Sequence, residues 1–200
     1  LSWAQFGALL QHVAADHLTA VLASAALQRS SAIDQRVELL RLLAIALAES
    51  RGVDAGLLVL DEADQLVPDA TDGALASARL LSLRAALLHD AGAVREGLEL
   101  TRRALSVARA AGDRFNEVQS RINEANMLQD LGRLTEAHAA AVWVGEACDD
   151  SMASFAQRAQ SARAMIALEQ GDRALCEALG RKQLAEATSP GEAIDAEGWL

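Results

Sequence analysis

The sequence predicts an all-α solenoid of about five helix pairs, and three observations carry that reading. Gly52, Gly92, Gly132 and Gly171 recur at spacings of 40, 40 and 39 residues, each after one helix-like segment and before another. A second set of breaks falls midway between them, at Ser30-Ser31, Asp72-Gly73, Gly112-Asp113, Asp149-Asp150-Ser151 and Ser189-Pro190-Gly191. Two alternating turn sets read as helix, turn, helix, turn. The composition agrees: hydrophobic residues make up 52% of the chain but aromatics only 3%, with no Tyr and two Pro. Ala and Leu carry the apolar content, and such side chains lose little rotamer freedom in a helix.

The elements follow in order. Ser2 to Asp16 and Leu18 to Arg29 form a first, less regular pair. Helices are then expected over 32–51, 54–67, 73–91, 94–111, 114–131, 134–149, 152–170 and 173–188. Ser189-Pro190-Gly191-Glu192 reads as a capping box with Pro at the first helical position, so a further helix is expected over 191–200. Residues 1–200 thus read as a single repeat domain with pairs at 1–31, 32–72, 73–112, 113–151 and 152–189 and a truncated helix at 190–200. A start on Leu1 and an end just after a helix signal lead us to expect a piece of a longer protein. A lone helix pair cannot bury its apolar faces, whereas stacked neighbours can.

Fixed offsets from the glycines predict the interior. Seven residues before them lie Ile45, Ala85, Ala125 and Ala164; five after lie Leu57, Gly97, Ala137 and Cys176. Small residues facing each other let two helices approach closely. In the first of these repeats Gly56 suits that role better than Leu57, as if the turn were one residue shorter.

Several function classes are disfavoured. Net charge is −10, with 18 Lys and Arg against 28 acids and no basic cluster, so no phosphate-binding footprint is present and direct nucleic-acid binding is not expected. No apolar run is long enough for a membrane span. Cys148 and Cys176 make no C-x-x-C pair, and a reducing cytoplasm is expected. No phosphate loop or G-x-S-x-G elbow occurs. His12 and Asp16 share a helix face but lack a third metal ligand. Cys148 has no basic sequence neighbour to lower its pKa. No catalytic residue, metal or cofactor is expected, and the chain reads as a non-enzyme.

The stretch from Ala104-Leu105-Ser106-Val107-Ala108-Arg109 through Gly112-Asp113 to Ile122-Asn123-Glu124-Ala125-Asn126-Met127-Leu128-Gln129-Asp130-Leu131-Gly132-Arg133-Leu134-Thr135-Glu136-Ala137 resembles a tetratricopeptide repeat (TPR). It is similar to the long type, of about 40 residues, seen in kinesin light chains and in large bacterial LuxR-type regulators. Leu or Ala mostly replaces the bulky aromatics of the short consensus. The resemblance implies a right-handed α-α superhelix whose first helices line a concave face. It further implies that residues thirteen, ten, six, three and two before each glycine point into a groove. These include Arg79, Ser82 and His89 before Gly92, Gln119, Ile122, Asn126 and Gln129 before Gly132, and Arg158, Ser161 and Met165 before Gly171. Asn123 lies three residues from Asn126, hence beside it on one helix surface. Carboxamides both donate and accept, which suits the backbone of an extended peptide. The arginines suit acidic ligand groups.

The function expected is therefore a protein- or peptide-binding scaffold, serving as the sensor or interaction region of a larger bacterial transcriptional or signalling regulator. The alternative is a self-association module that forms a homodimer, which a strictly monomeric sedimentation profile would dispose of.

Overall fold

The computed structural model describes residues 17–186; the expected helices over 2–16 and 191–200, with His12 and Asp16, lie outside them. The chain divides into two compact units, Leu1–Asp113 and Arg114–Leu200. The division falls between the pairs expected at 73–112 and 113–151.

The first unit holds α1 (17–27), α2 (Ile33–Arg51), α3 (Val53–Leu66), α4 (Gly73–Asp90) and α5 (Val94–Ala110). The second holds α6 (Arg114–Asp130), α7 (Leu134–Ala147), α8 (Ala153–Glu169) and α9 (Arg173–Glu186). No strand occurs among the described residues, and no helix there is long and apolar enough to cross a membrane. The expected boundaries match these to within about two residues, with short 3-10 turns at Val67–Asp69 and Asp150–Met152 absorbing the difference.

The repeated glycines end the first helices by a shared mechanism. At Gly132, φ is 71°, the Gly132 N–H bonds to the Gln129 carbonyl at 2.8 Å, and the Arg133 N–H bonds to the Leu128 carbonyl at 2.8 Å. This Schellman closure satisfies two of the terminal carbonyls and needs a left-handed residue. Gly92 and Gly171 close α4 and α8 in the same way, and Gly112 does so for α5. Gly52 differs. It alone joins α2 to α3, at φ 97° and ψ 160°, a region almost reserved for glycine.

The shortened turn has the consequence the sequence anticipates. Gly56 sits buried where α3 crosses α2, so close that a Cβ there would lie 2.8 Å from the Ala44 carbonyl oxygen and 2.8 Å from Ala48 Cβ. In the later pairs the expected residues are interior: Ala85, Ala125, Ala137 and Ala164 are fully buried, and Cys176 is nearly so.

Each unit has its own core. In the first, Val37, Leu40, Ala44, Leu60, Ala63, Leu80 and Leu87 pack together from α2, α3 and α4. Arg84 of α4 reaches back to Asp61 and Asp64 of α3 at 2.8 and 2.7 Å. In the second, Val118, Ile122 and Ala125 of α6 pack on Ala140, Ala141 and Val144 of α7 and on Phe155, Ala159 and Ala162 of α8. Each large aliphatic side chain so buried contributes about 1.5–3 kcal/mol.

Candidate functional site

In the second unit α6 and α8, the first helices of successive pairs, are tied to each other near both ends. At their N-terminal ends Phe115 and Phe155 meet edge to face with ring centroids 5.1 Å apart. At their C-terminal ends Gln129 Nε2 donates to Glu169 Oε1 at 2.6 Å. The two helices therefore run side by side in the same direction, and the residues between these ties form one polar and apolar strip.

On α6 that strip carries Gln119, Asn123 and Asn126, which follow one another at helical spacings of four and three residues. All three are half-buried, and among the described residues none of their carboxamides makes a hydrogen bond. On α8 it carries Arg158, Met165 and Leu168, all exposed, the last two at 43% and 52%. The Arg158 guanidinium lies 5.8 Å from the centre of the Phe155 ring. Although the Arg158 residue as a whole is exposed, protein crowded around its guanidinium partly desolvates the charge and lowers its pKa. The strip thus offers a cation and an aromatic edge at one end, carboxamides along α6, and thioether and aliphatic surface toward the other end.

The remaining expected site residues behave differently. Ile122 is fully buried in the core of the second unit, and Ser82 in the first unit is only 3% exposed. Neither can face a partner, so both are corrected to interior positions. Ser161 is half-buried, and its hydroxyl accepts from Gln183 Nε2 of α9 at 2.8 Å, so it too serves the unit's own packing. The three share one cause. Each stands ten residues before its glycine, hence three before Ala85, Ala125 or Ala164, and residues three apart share a helix face. That face is the one each small residue packs inward.

Gln129 is half-buried but engaged with Glu169. Arg79 and His89 belong to the first unit, on α4: Arg79 is exposed, and His89 is half-buried in the last turn, where its carbonyl accepts from the Gly92 N–H. Phe115 is 52% exposed and was not anticipated, since it stands seventeen residues before Gly132, outside the offsets implied for the groove. An exposed aromatic beside a helix start was the signal available for it. Burial raises the pKa of the Cys148 thiol, which makes it a poorer nucleophile. Among the described residues no three metal-ligating side chains gather in one place.

No family model and no curated protein matches the sequence. Among solved structures the chain is similar to the apo form of RapI, at 13% identity and a TM-score of 0.73, covering 96% of this chain and 53% of RapI. It is also similar to BtubC (BKLC) from P. vanneervenii, at 14% identity and a TM-score of 0.71, covering 96% of this chain and 88% of that one. The chain spans about half the length of RapI. At these identities the likeness shows the fold, an all-α array of helix pairs.

Proposed function

We propose that this chain is a non-enzymatic protein- or peptide-binding scaffold of the long TPR type, forming the sensor or interaction region of a larger bacterial regulatory protein. The observation that carries the reading is the row of Gln119, Asn123 and Asn126 on α6, half-buried and without hydrogen-bond partners among the described residues. A half-buried carboxamide left unmatched loses part of its solvation, and an arriving peptide backbone restores it with both a donor and an acceptor. From Gln119 to Asn126 the row rises about 10 Å, the length of about three extended residues. Met165 and Leu168 on α8 then suit the apolar side chains of the same segment. The reading involves no cofactor and a cytoplasmic setting.

Selection of phage-displayed random peptides on the purified chain tests this. The selected peptides should bind Asn126→Ala at least fivefold more weakly and bind Glu146→Ala, changed on the exposed side of α7, as they bind the parent. If selection yields no peptide sensitive to Gln119, Asn123 or Asn126, the reading fails.

A further inference from the structure

The first unit holds a cleft that the α6 row does not involve. It lies between α2 and α4, has a volume of about 240 Å³, and is closed at one end by the turn before α4. That end is fastened: the Thr71 N–H and hydroxyl both donate to the Asp34 carboxylate, at 2.8 and 2.5 Å. The floor is apolar. Val37 and Leu80 belong to the buried core of the unit, and Leu75 and Ala76 complete the lining. The volume falls below the ~300–1,000 Å³ of pockets for drug-sized ligands, so the cleft holds a group about as large as one side chain.

The rim is charged, and its charges are unequally committed. Glu38 takes both nitrogens of a fork from Arg41, at 2.7 and 3.0 Å, and these bonds hold its carboxyl below the usual range. Asp72 caps α4 by accepting from the Leu75 N–H. Asp34 is taken by Thr71. Every acid on the rim therefore has a directional partner. Arg79 does not: among the described residues no carboxylate stands within ion-pair distance of it, and it acts on Glu38 only through space. An exposed guanidinium above an apolar floor is a two-part receptor, in which a carboxylate meets the planar fork while an adjoining hydrophobic group fills the cavity.

We infer that the α2–α4 cleft binds an apolar group carrying a carboxylate, with Arg79 taking the carboxylate and the Val37, Leu75 and Leu80 floor taking the apolar group. Such a group occurs in a free small acid or where an apolar residue adjoins an acidic one in a protein segment. The inference stands on first-unit residues and does not depend on the α6 reading.

The test is titration of the isotope-labelled chain by NMR with 3-phenylpropanoate, 3-phenylpropan-1-ol and 3-phenylpropylammonium, three probes of one shape and different charge. The acid should shift the Leu75 and Leu80 methyls and the Arg79 Nε–H saturably. The alcohol should shift the same methyls about tenfold more weakly, because it lacks the charge-assisted pair, and the ammonium more weakly still. Arg79→Gln should bring the acid down to the alcohol's affinity and leave the alcohol unchanged. Its dispersed spectrum serves as the folding control, since Arg79 is exposed. N-acetyl-Phe-Glu-amide separates the sources: tighter binding than the free acid assigns the cleft to a protein segment, weaker binding to a small molecule. Equal binding of acid and ammonium, an unaltered acid affinity in Arg79→Gln, or no saturable shift at these residues overturns the inference.

Discussion

Gln129 and Glu169 stand forty residues apart in sequence and share a 2.6 Å hydrogen bond that joins α6 to α8. Both occupy offsets that the TPR resemblance implies for a ligand-facing wall, and here the two are engaged in holding the helices together. An exposed bond to a charged acceptor contributes modestly, because water competes for both groups. A double-mutant cycle with Gln129→Ala and Glu169→Ala in urea should give a coupling of about 0.5–1 kcal/mol. A coupling indistinguishable from zero would mean the contact does not persist in solution.

Asn126 and Ala125 are adjacent in sequence and should respond in opposite ways. Asn126 is half-buried with an unengaged carboxamide, so Asn126→Ala should weaken peptide binding and leave the melting temperature nearly unchanged. Ala125 is fully buried against its neighbours, and Ala125→Trp should destabilise the second unit by at least about 1–3 kcal/mol through overpacking. A variant that melts like the parent would remove Ala125 from the interior.

Two glycines inside helices separate packing from propensity. At Gly56 a methyl group would meet the Ala44 carbonyl oxygen, Ala48 Cβ and, at 3.0 Å, Leu87 Cδ1. Two of those contacts are with groups that cannot swing aside, so Gly56→Ala should destabilise by about 1–3 kcal/mol despite alanine's better helix propensity. At Gly145 of α7 a methyl group would meet nothing within 4 Å, and Gly145→Ala should stabilise by up to about 1 kcal/mol. Chemical denaturation of both variants checks the opposed signs.

Acid should loosen the junction between α2 and the start of α4. Hydrogen bonds from Thr71 lower the pKa of Asp34, and those from Arg41 lower the pKa of Glu38. A carboxyl whose folded pKa is depressed adds stability that is fully present above its unfolded value. That stability fades as pH falls through the ordinary carboxylate range and is gone below the folded pKa. Thr71→Val should therefore lower stability at neutral pH and flatten its fall over the acid range. Denaturation midpoints against pH that run parallel in parent and variant would show that Asp34 contributes no such linkage.

Much of the architecture was legible because helix ends are local chemistry. Gly92, Gly132 and Gly171 mark the ends of α4, α6 and α8 because a Schellman closure needs a left-handed residue at one position, whatever packs nearby. The Ala85, Ala125 and Ala164 stripe was legible because a fixed offset on a 3.6-residue helix fixes a face. The same periodicity, followed from those alanines, shows that Ser82, Ile122 and Ser161 lie on the packed side, against what the family offsets imply.

Patterns along the chain suffice to place the helix pairs, their turns, the small residues between helices and the carboxamides on α6. All of these depend on separations of a few residues along one helix. Which polar groups stay unsatisfied emerges from the packed helices instead: Glu169 takes Gln129, Gln183 takes Ser161, Arg41 rather than Arg79 takes Glu38, and Asp34 secures the turn at Thr71. Except for the Arg41–Glu38 fork, which lies within α2, these partners are 22 to 40 residues apart in sequence. Whether such a pair meets depends on how one helix packs on another, and no local pattern of residues encodes that distance.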